Sequence, residues 1–201
     1  MTEESCFSRR DLLQGHFSGR SEPPAPPPEA TPPAAAAARI QKAFPVLRPP
    51  GAIDEEAFLA GCTQCNACVE ACPYQAIVHA PPRYRCAAGT PMIDPIRQPC
   101  WMCHDFPCIA VCEPRVLRLD LAKTMGKARI DTFSCLPYQG RVCASCVEAC
   151  PVPGAIQLIG NKPKIVEEIC TGCGVCQFVC PVPDNAILLM PLADRPLSTR
   201  F

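Results

Sequence analysis

Long apolar runs are missing from this chain of 201 residues. Nothing in it approaches the roughly 20 residues that a membrane-spanning helix needs, so no membrane span is expected. Aromatic side chains are scarce, with one Trp, three Tyr and eight Phe. A large aromatic core is therefore excluded, and something else must do part of its work. An excess of charge of either sign is missing too. The 19 basic and 19 acidic residues cancel to a formal net charge of zero. No basic stripe carries interleaved aromatics, which makes nucleic acid a poor partner. The 11 glycines form no G-x-G-x-x-G loop, no P-loop and no G-x-S-x-G elbow, and no flavin signature is present. Such a chain is expected to be no enzyme itself, and to serve a partner enzyme instead.

Proline and cysteine are abundant, at 26 and 18. So many prolines predict short elements and many turns. Sixteen cysteines fall into four groups: Cys62, Cys65, Cys68 and Cys72; Cys100, Cys103, Cys108 and Cys112; Cys135, Cys143, Cys146 and Cys150; Cys170, Cys173, Cys176 and Cys180. The first and last read C-x2-C-x2-C-x3-C-P, the bacterial ferredoxin spacing for a [4Fe–4S] cubane. Three thiolates wrap one cluster, and the fourth, just before Pro73 or Pro181, reaches a neighbouring one. All sixteen are candidate ligands, and the expected cofactor is four [4Fe–4S] clusters. Ligation energy is folding energy when the site does not exist in the unfolded chain, so metal can replace part of the missing core.

Two other chemistries compete. A disulfide scaffold is a fair prior at this cysteine density, but it does not require four copies of one local spacing, and no secretory signal is evident. Structural zinc sites pair two CxxC knuckles across a longer gap, whereas each group here is compact. The preference for cubanes is firmest for the first and fourth groups. The second is C-x2-C-x4-C-x3-C, with Glu113 in the expected place of proline. The third opens as C-x7-C-x2-C-x3-C and closes on Cys150-Pro151. Cys6 and Cys86 belong to no group and are read as reduced thiols. His104 is read as solvated or hydrogen-bonding rather than as a ligand, and His16 and His79 stand in no constellation. Open thiolates, no bridges and no membrane span point to a reducing, cytoplasmic setting.

Residues 1–20 contain a twin arginine followed by apolar residues, as Tat export signals do. Export also needs an apolar stretch of about 7–15 residues, which Gln14-Gly15-His16 interrupts. Arg9, Arg10, Leu12 and Leu13 are therefore left as a candidate partner-binding peptide. Residues 21–45 are rich in Pro and Ala and read as a disordered, extended linker. Ile53 to Leu59 suits a short helix leading into Cys62, with early acidic residues favouring its dipole. Residues 46–192 form a polyferredoxin region, and 193–201 a tail. Within the region a unit repeats four times: a cysteine loop, a helical turn and an apolar strand stub. Stub, turn and stub make a hairpin, with Gly160-Asn161-Lys162-Pro163 a natural turn. The fold class is α+β, ferredoxin-like: two pseudo-symmetric modules, each holding two clusters. The short gap between the third and fourth groups supports sequential pairing. Nested pairing, first with fourth and second with third, joins the two regular loops and is the arrangement preferred. Closely spaced cubanes pass single electrons, so redox partner proteins are implied.

Several segments resemble the NapF family, ferredoxin-type proteins of periplasmic nitrate reductase systems. They are Ser8-Arg9-Arg10-Asp11-Leu12-Leu13-Gln14-Gly15, Arg48-Pro49-Pro50-Gly51, Val142-Cys143-Ala144-Ser145-Cys146 and the run from Cys170 to Cys176. The second group departs from that pattern: Pro99-Cys100-Trp101-Met102-Cys103-His104-Asp105-Phe106-Pro107-Cys108 looks like the related MauM/NapG type. The NapF resemblance implies a cytoplasmic protein that binds the nitrate reductase catalytic subunit before export and assists its maturation by electron transfer. The alternatives are a general ferredoxin-type carrier, or a NapG-like component of a quinol-linked molybdoenzyme system.

Overall fold

A computed structural model describes residues 46–192. Arg9, Arg10, Leu12 and Leu13, the linker, Cys6, His16 and the tail lie outside the described residues. The elements run α1 (Glu55–Gly61), α2 (Ala67–Glu70), β1 (Ile77–His79), β2 (Pro91–Ile93), α3 (Pro107–Ala110), β3 (Gly126–Ile130), α4 (Ser145–Glu148), β4 (Ile156–Ile159), β5 (Lys162–Ile165), α5 (Val175–Phe178) and β6 (Ile187–Pro191). Two 3₁₀ turns lie at Pro82–Ala87 and Leu136–Gln139.

The expected helix before Cys62 forms as α1. Asp54 caps it, its carboxylate accepting the Ala57 N–H at 3.0 Å, and Glu55 and Glu56 occupy the first turn. Both features suit a helix N-terminus. Phe58 is its buried anchor. Two hairpins form where outgoing and incoming stubs flank a short link. β1 pairs with β2 (Ile77 opposite Ile93) and β4 with β5 (Ile156 opposite Ile165), both antiparallel. The second turn is tighter than expected. Gly160 and Asn161 take φ of 55° and 63°, as a two-residue hairpin loop favours, while Lys162 and Pro163 enter β5.

The hairpin rule fails between the stub at 116–119 and the one at 128–130. β3 instead pairs antiparallel with β6, with Ala128 opposite Leu189. In the first half, Ala52 bridges Leu117, supported by the Ile53 N–H to Val116 O and Arg118 N–H to Gly51 O bonds at 3.0 and 2.8 Å. Each half therefore has a closing pair of chain ends, an inner hairpin and two short helices.

This topology corrects the preference for nested pairing. α2 packs against α3, and α4 against α5, so the first and second groups share one module and the third and fourth share the other. The cause is local. Each inner hairpin returns the chain at once, so closing the short loop costs less entropy than meeting a group a hundred residues away. The halves remain joined. Val175, from the fourth group, lies in the same apolar cluster as Phe58, Ile93 and Ile109. Gly172 (φ +70°) lies against Gly126, where an added Cβ would come within 2.4 Å of backbone.

Arg48 is fully buried. Its guanidinium donates to Glu55 Oε2 at 3.0 Å and Oε1 at 2.5 Å, to Thr90 Oγ1 at 2.6 Å and to Pro91 O at 2.8 Å. It also lies 4.4 Å from the centroid of the Phe58 ring. One side chain thus ties the extended segment before α1 to α1 itself and to β2. Removing one member of a buried ion pair leaves the other groups without compensation. We expect Arg48→Leu to destabilise the holoprotein by about 3 kcal/mol, read as a lowered denaturant midpoint under anaerobic conditions.

Candidate metal centres

Each short helix carries the third cysteine of its group: Cys68 in α2, Cys108 in α3, Cys146 in α4 and Cys176 in α5. The fourth cysteine follows four residues later, about 6 Å further along the helical rise. A neighbouring helix packs there, so the fourth sulfur faces the partner group's loop. The consequence is four hollows, each lined by four cysteines. Hollow A takes Cys62, Cys65, Cys68 and the incoming Cys112. Hollow B takes Cys100, Cys103, Cys108 and Cys72. Hollow C takes Cys170, Cys173, Cys176 and Cys150. Hollow D takes Cys135, Cys143, Cys146 and Cys180. The sixteen predicted residues are thus used once each, and the fourth-cysteine exchange extends to both irregular groups.

The donor set fits a polynuclear cluster better than a single ion. Zinc would draw its sulfurs to about 2.3 Å from one point. Among the described residues no three His, Cys, Asp or Glu side chains are gathered as a site for one metal ion. The sulfurs instead line four separate hollows with largely apolar walls. Trp101, Phe106, Ile77 and Ile93 line B; Pro137, Val182 and Ile187 line D.

Burial first, then neighbouring thiols, push these groups upward in pKa: Cys68 and Cys146 to about 11, and Cys108 to about 12. Burial also raises Cys100 to about 12, the Met102 amide opposing it, and Cys176 lies higher still. Packed thiols without cations resist ionisation, whereas coordinated metal deprotonates a thiol outright. Amide donors sit close to several sulfurs, and the Ala76 N–H points at Cys72 Sγ at 3.3 Å. Such donors and burial are the protein's means of setting a cluster's potential.

The loops reach this shape through left-handed backbone. Gln64 and Asn66 in the first loop, and Met102 and Phe106 in the second, have φ between 44° and 68°. Gly172 and Gly174 take φ of 70° and 88° in the fourth. Only the last pair are glycines, so the strain elsewhere was invisible in composition; such strain is held at functional loops. The third loop differs. Its extra residues form the 3₁₀ turn Leu136–Gln139, and Gly140 turns back at φ 80°.

The hollows are ordered in space. A and B share the α2–α3 contact, and C and D the α4–α5 contact. Across the module boundary the Cys100 N–H donates to Cys173 O at 3.0 Å, joining B to C. The row is A, B, C, D, with A and D at its ends. His104 is exposed and does not line B. His79, expected in no constellation, lines A and bonds Asn66 Oδ1 at 2.7 Å. Cys86 lines none of the four hollows. The role of Arg48 was missed as well; only its place in a proline-flanked segment was legible.

Comparison with known proteins agrees with iron–sulfur binding. Two family profiles, each described as a 4Fe-4S binding domain, match residues 60–78 and 161–182. The chain is 37% identical over 172 residues to the methylamine utilization ferredoxin-type protein MauM of Paracoccus denitrificans, covering 77% of each chain. It is 37% identical over 164 residues to the ferredoxin-type protein NapG of Escherichia coli, covering 73% of this chain and 71% of that one. It is 34% identical over 154 residues to the ferredoxin-type protein NapF of Escherichia coli, covering 72% of this chain and 85% of that one.

The exchanged ligands make a prediction about iron content. Cys65→Ala and Cys112→Ala should lose iron non-additively when combined, because both line hollow A. Cys65→Ala and Cys72→Ala should lose iron additively, because they serve different hollows. Iron per chain in anaerobically purified single and double variants decides between these patterns.

Proposed function

The chain belongs to the ferredoxin-type protein group of MauM, NapG and NapF, and on that footing we propose that it passes single electrons along four [4Fe–4S] clusters on behalf of a partner oxidoreductase. The observation that carries the reading is the row of four hollows with one donor set. The matched profiles cover only the first and fourth groups, whose spacing is regular. The second and third groups depart from that spacing but bring four sulfurs together in the same manner, which supports a count of four. Each cluster, when bound, stores and releases one electron. The chain's own residues supply the thiolates, the amide donors and the apolar walls. They also keep successive centres within one or two short helices of each other. In this reading the protein has no catalytic site of its own.

The partner we propose is a redox enzyme system of the kind that includes NapG or MauM, with this chain as its electron-transfer component. The matches to MauM and NapG support that choice. A second reading rests on the Ser8–Gly15 segment and on the extent of the NapF match. In it the chain binds the periplasmic nitrate reductase catalytic subunit in the cytoplasm and supports its maturation.

Anaerobic native purification tests the cluster count. About sixteen irons and about sixteen acid-labile sulfides per chain are expected from four cubanes; about eight of each would reduce the row to two centres and sink the four-cluster reading. Deleting residues 5–20 separates the two biological readings. Loss of a co-purifying nitrate reductase catalytic subunit supports maturation, while unchanged electron delivery to a redox enzyme partner supports the carrier role.

A further inference from the structure

The two ends of the row have different surfaces, and one of them has the make-up of a docking face. At hollow D the extra residues of the C-x7-C spacing build a shoulder beside the cysteines. Phe133 is 88% exposed and Val142, next to Cys143, is fully exposed. The shoulder is held in shape. Gln139 Nε2 donates to Phe133 O at 2.5 Å, the Arg141 N–H donates to Leu136 O at 3.0 Å, and Tyr138 OH donates to Pro163 O at 3.1 Å. Two exposed cations flank it: Arg141, adjoining Val142, and Lys162, whose ammonium lies 5.3 Å from the centroid of the Tyr138 ring. Two carboxylates lie nearby: Asp131, which accepts from the Phe133 N–H and the Ser134 hydroxyl, and the exposed Asp184 in the loop that lines D. Hollow A is rimmed instead by the exposed, uncharged Thr63, Gln64 and Asn66 with His79. An apolar centre with a positive rim, beside the terminal member of a row of electron sites, suits transient contact with an acidic surface.

We propose that the Phe133–Val142 shoulder is the docking face for a one-electron redox protein with an acidic patch around its own centre, so that this partner exchanges electrons at hollow D. The inference rests on the four-cluster reading above. In the forward direction, one electron leaves the reduced cluster in D, returning it to its oxidised level, and reduces the partner's centre by one. No bond forms or breaks. The irregular spacing of the third group thereby acquires a use, since Arg141 and Val142 lie among the extra residues between Cys135 and Cys143.

Stopped-flow mixing of anaerobically reduced holoprotein with two oxidised c-type cytochromes of similar potential, one acidic and one basic, tests the proposal. The acidic cytochrome should be reduced faster, by a rate that falls with added salt. Val142→Glu and the pair Arg141→Glu with Lys162→Glu should each slow it about tenfold. Leu119→Glu, at an exposed apolar residue of the other module, should not, and Arg141→Lys should retain most of the rate. The neutral acceptor benzoquinone should be reduced equally by all variants, and iron per chain should match throughout. Equal rates with both cytochromes, or equal slowing by Leu119→Glu, would overturn the docking face while leaving the cluster reading intact. Failure to reduce benzoquinone together with low iron in the unaltered protein would sink the cluster reading, and the docking face with it.

Discussion

The exchange of the fourth cysteine between paired helices is the constraint on which the rest of the structure depends. A helical turn of four residues is too short to be stable by itself. Each of these turns persists because it packs against a partner and places one sulfur in its own hollow and one in its neighbour's. That geometry fixes the distance between the helices, which fixes the hairpin beyond them, which in turn brings the closing strands together. Neither hollow of a pair is complete without both groups, so the module, rather than the single motif, is the smallest unit with a full donor set.

Burial gives this arrangement its cost. Six of the sixteen sulfur-bearing residues are buried in the two larger apolar clusters, among them Cys68, Cys108 and Cys176. Desolvation favours the protonated forms of Cys68, Cys108, Cys146, Cys173 and Cys176, and the hollows between them leave their apolar walls short of packing partners. Cluster binding offsets both costs together. The scarcity of aromatic residues is then intelligible, because volume that other folds fill with Phe and Trp goes to metal and sulfide in this one. Three of the few aromatic side chains, Tyr74, Trp101 and Phe106, line hollow B.

Much of the site was legible in the sequence because its determinants are local. The i, i+3, i+6 spacing and the cysteine before proline depend on a few residues and one helical turn, so the ligand set and the exchanged fourth cysteine could be read directly. The short strands were legible from the apolar stubs, and α1 from Ile53 to Leu59. The pairing of groups was not, because β3 and β6 lie nearly sixty residues apart and their stubs carry no mark of each other. Arg48 could not be assigned a role because its four acceptors come from α1, Thr90 and Pro91, which meet only in the fold. His79 was passed over for the same reason. It joins hollow A through the β1–β2 hairpin, which turns it back toward Asn66.

The contact between the modules has a consequence of its own. The Cys100 N–H bonds the Cys173 carbonyl, so the seam is stitched through the backbone of the residues that line hollows B and C. The spacing of hollows B and C is therefore held by this backbone bond together with the apolar cluster that Cys173 and Val175 share with the first module, rather than by a flexible tether. Any hinge that parted the halves would lengthen that gap first. Tunnelling falls steeply with distance, so in the proposed four-cluster reading such an opening would act as a circuit breaker between the two modules. Rigidity at this seam is thus a requirement for conduction and more than a by-product of packing.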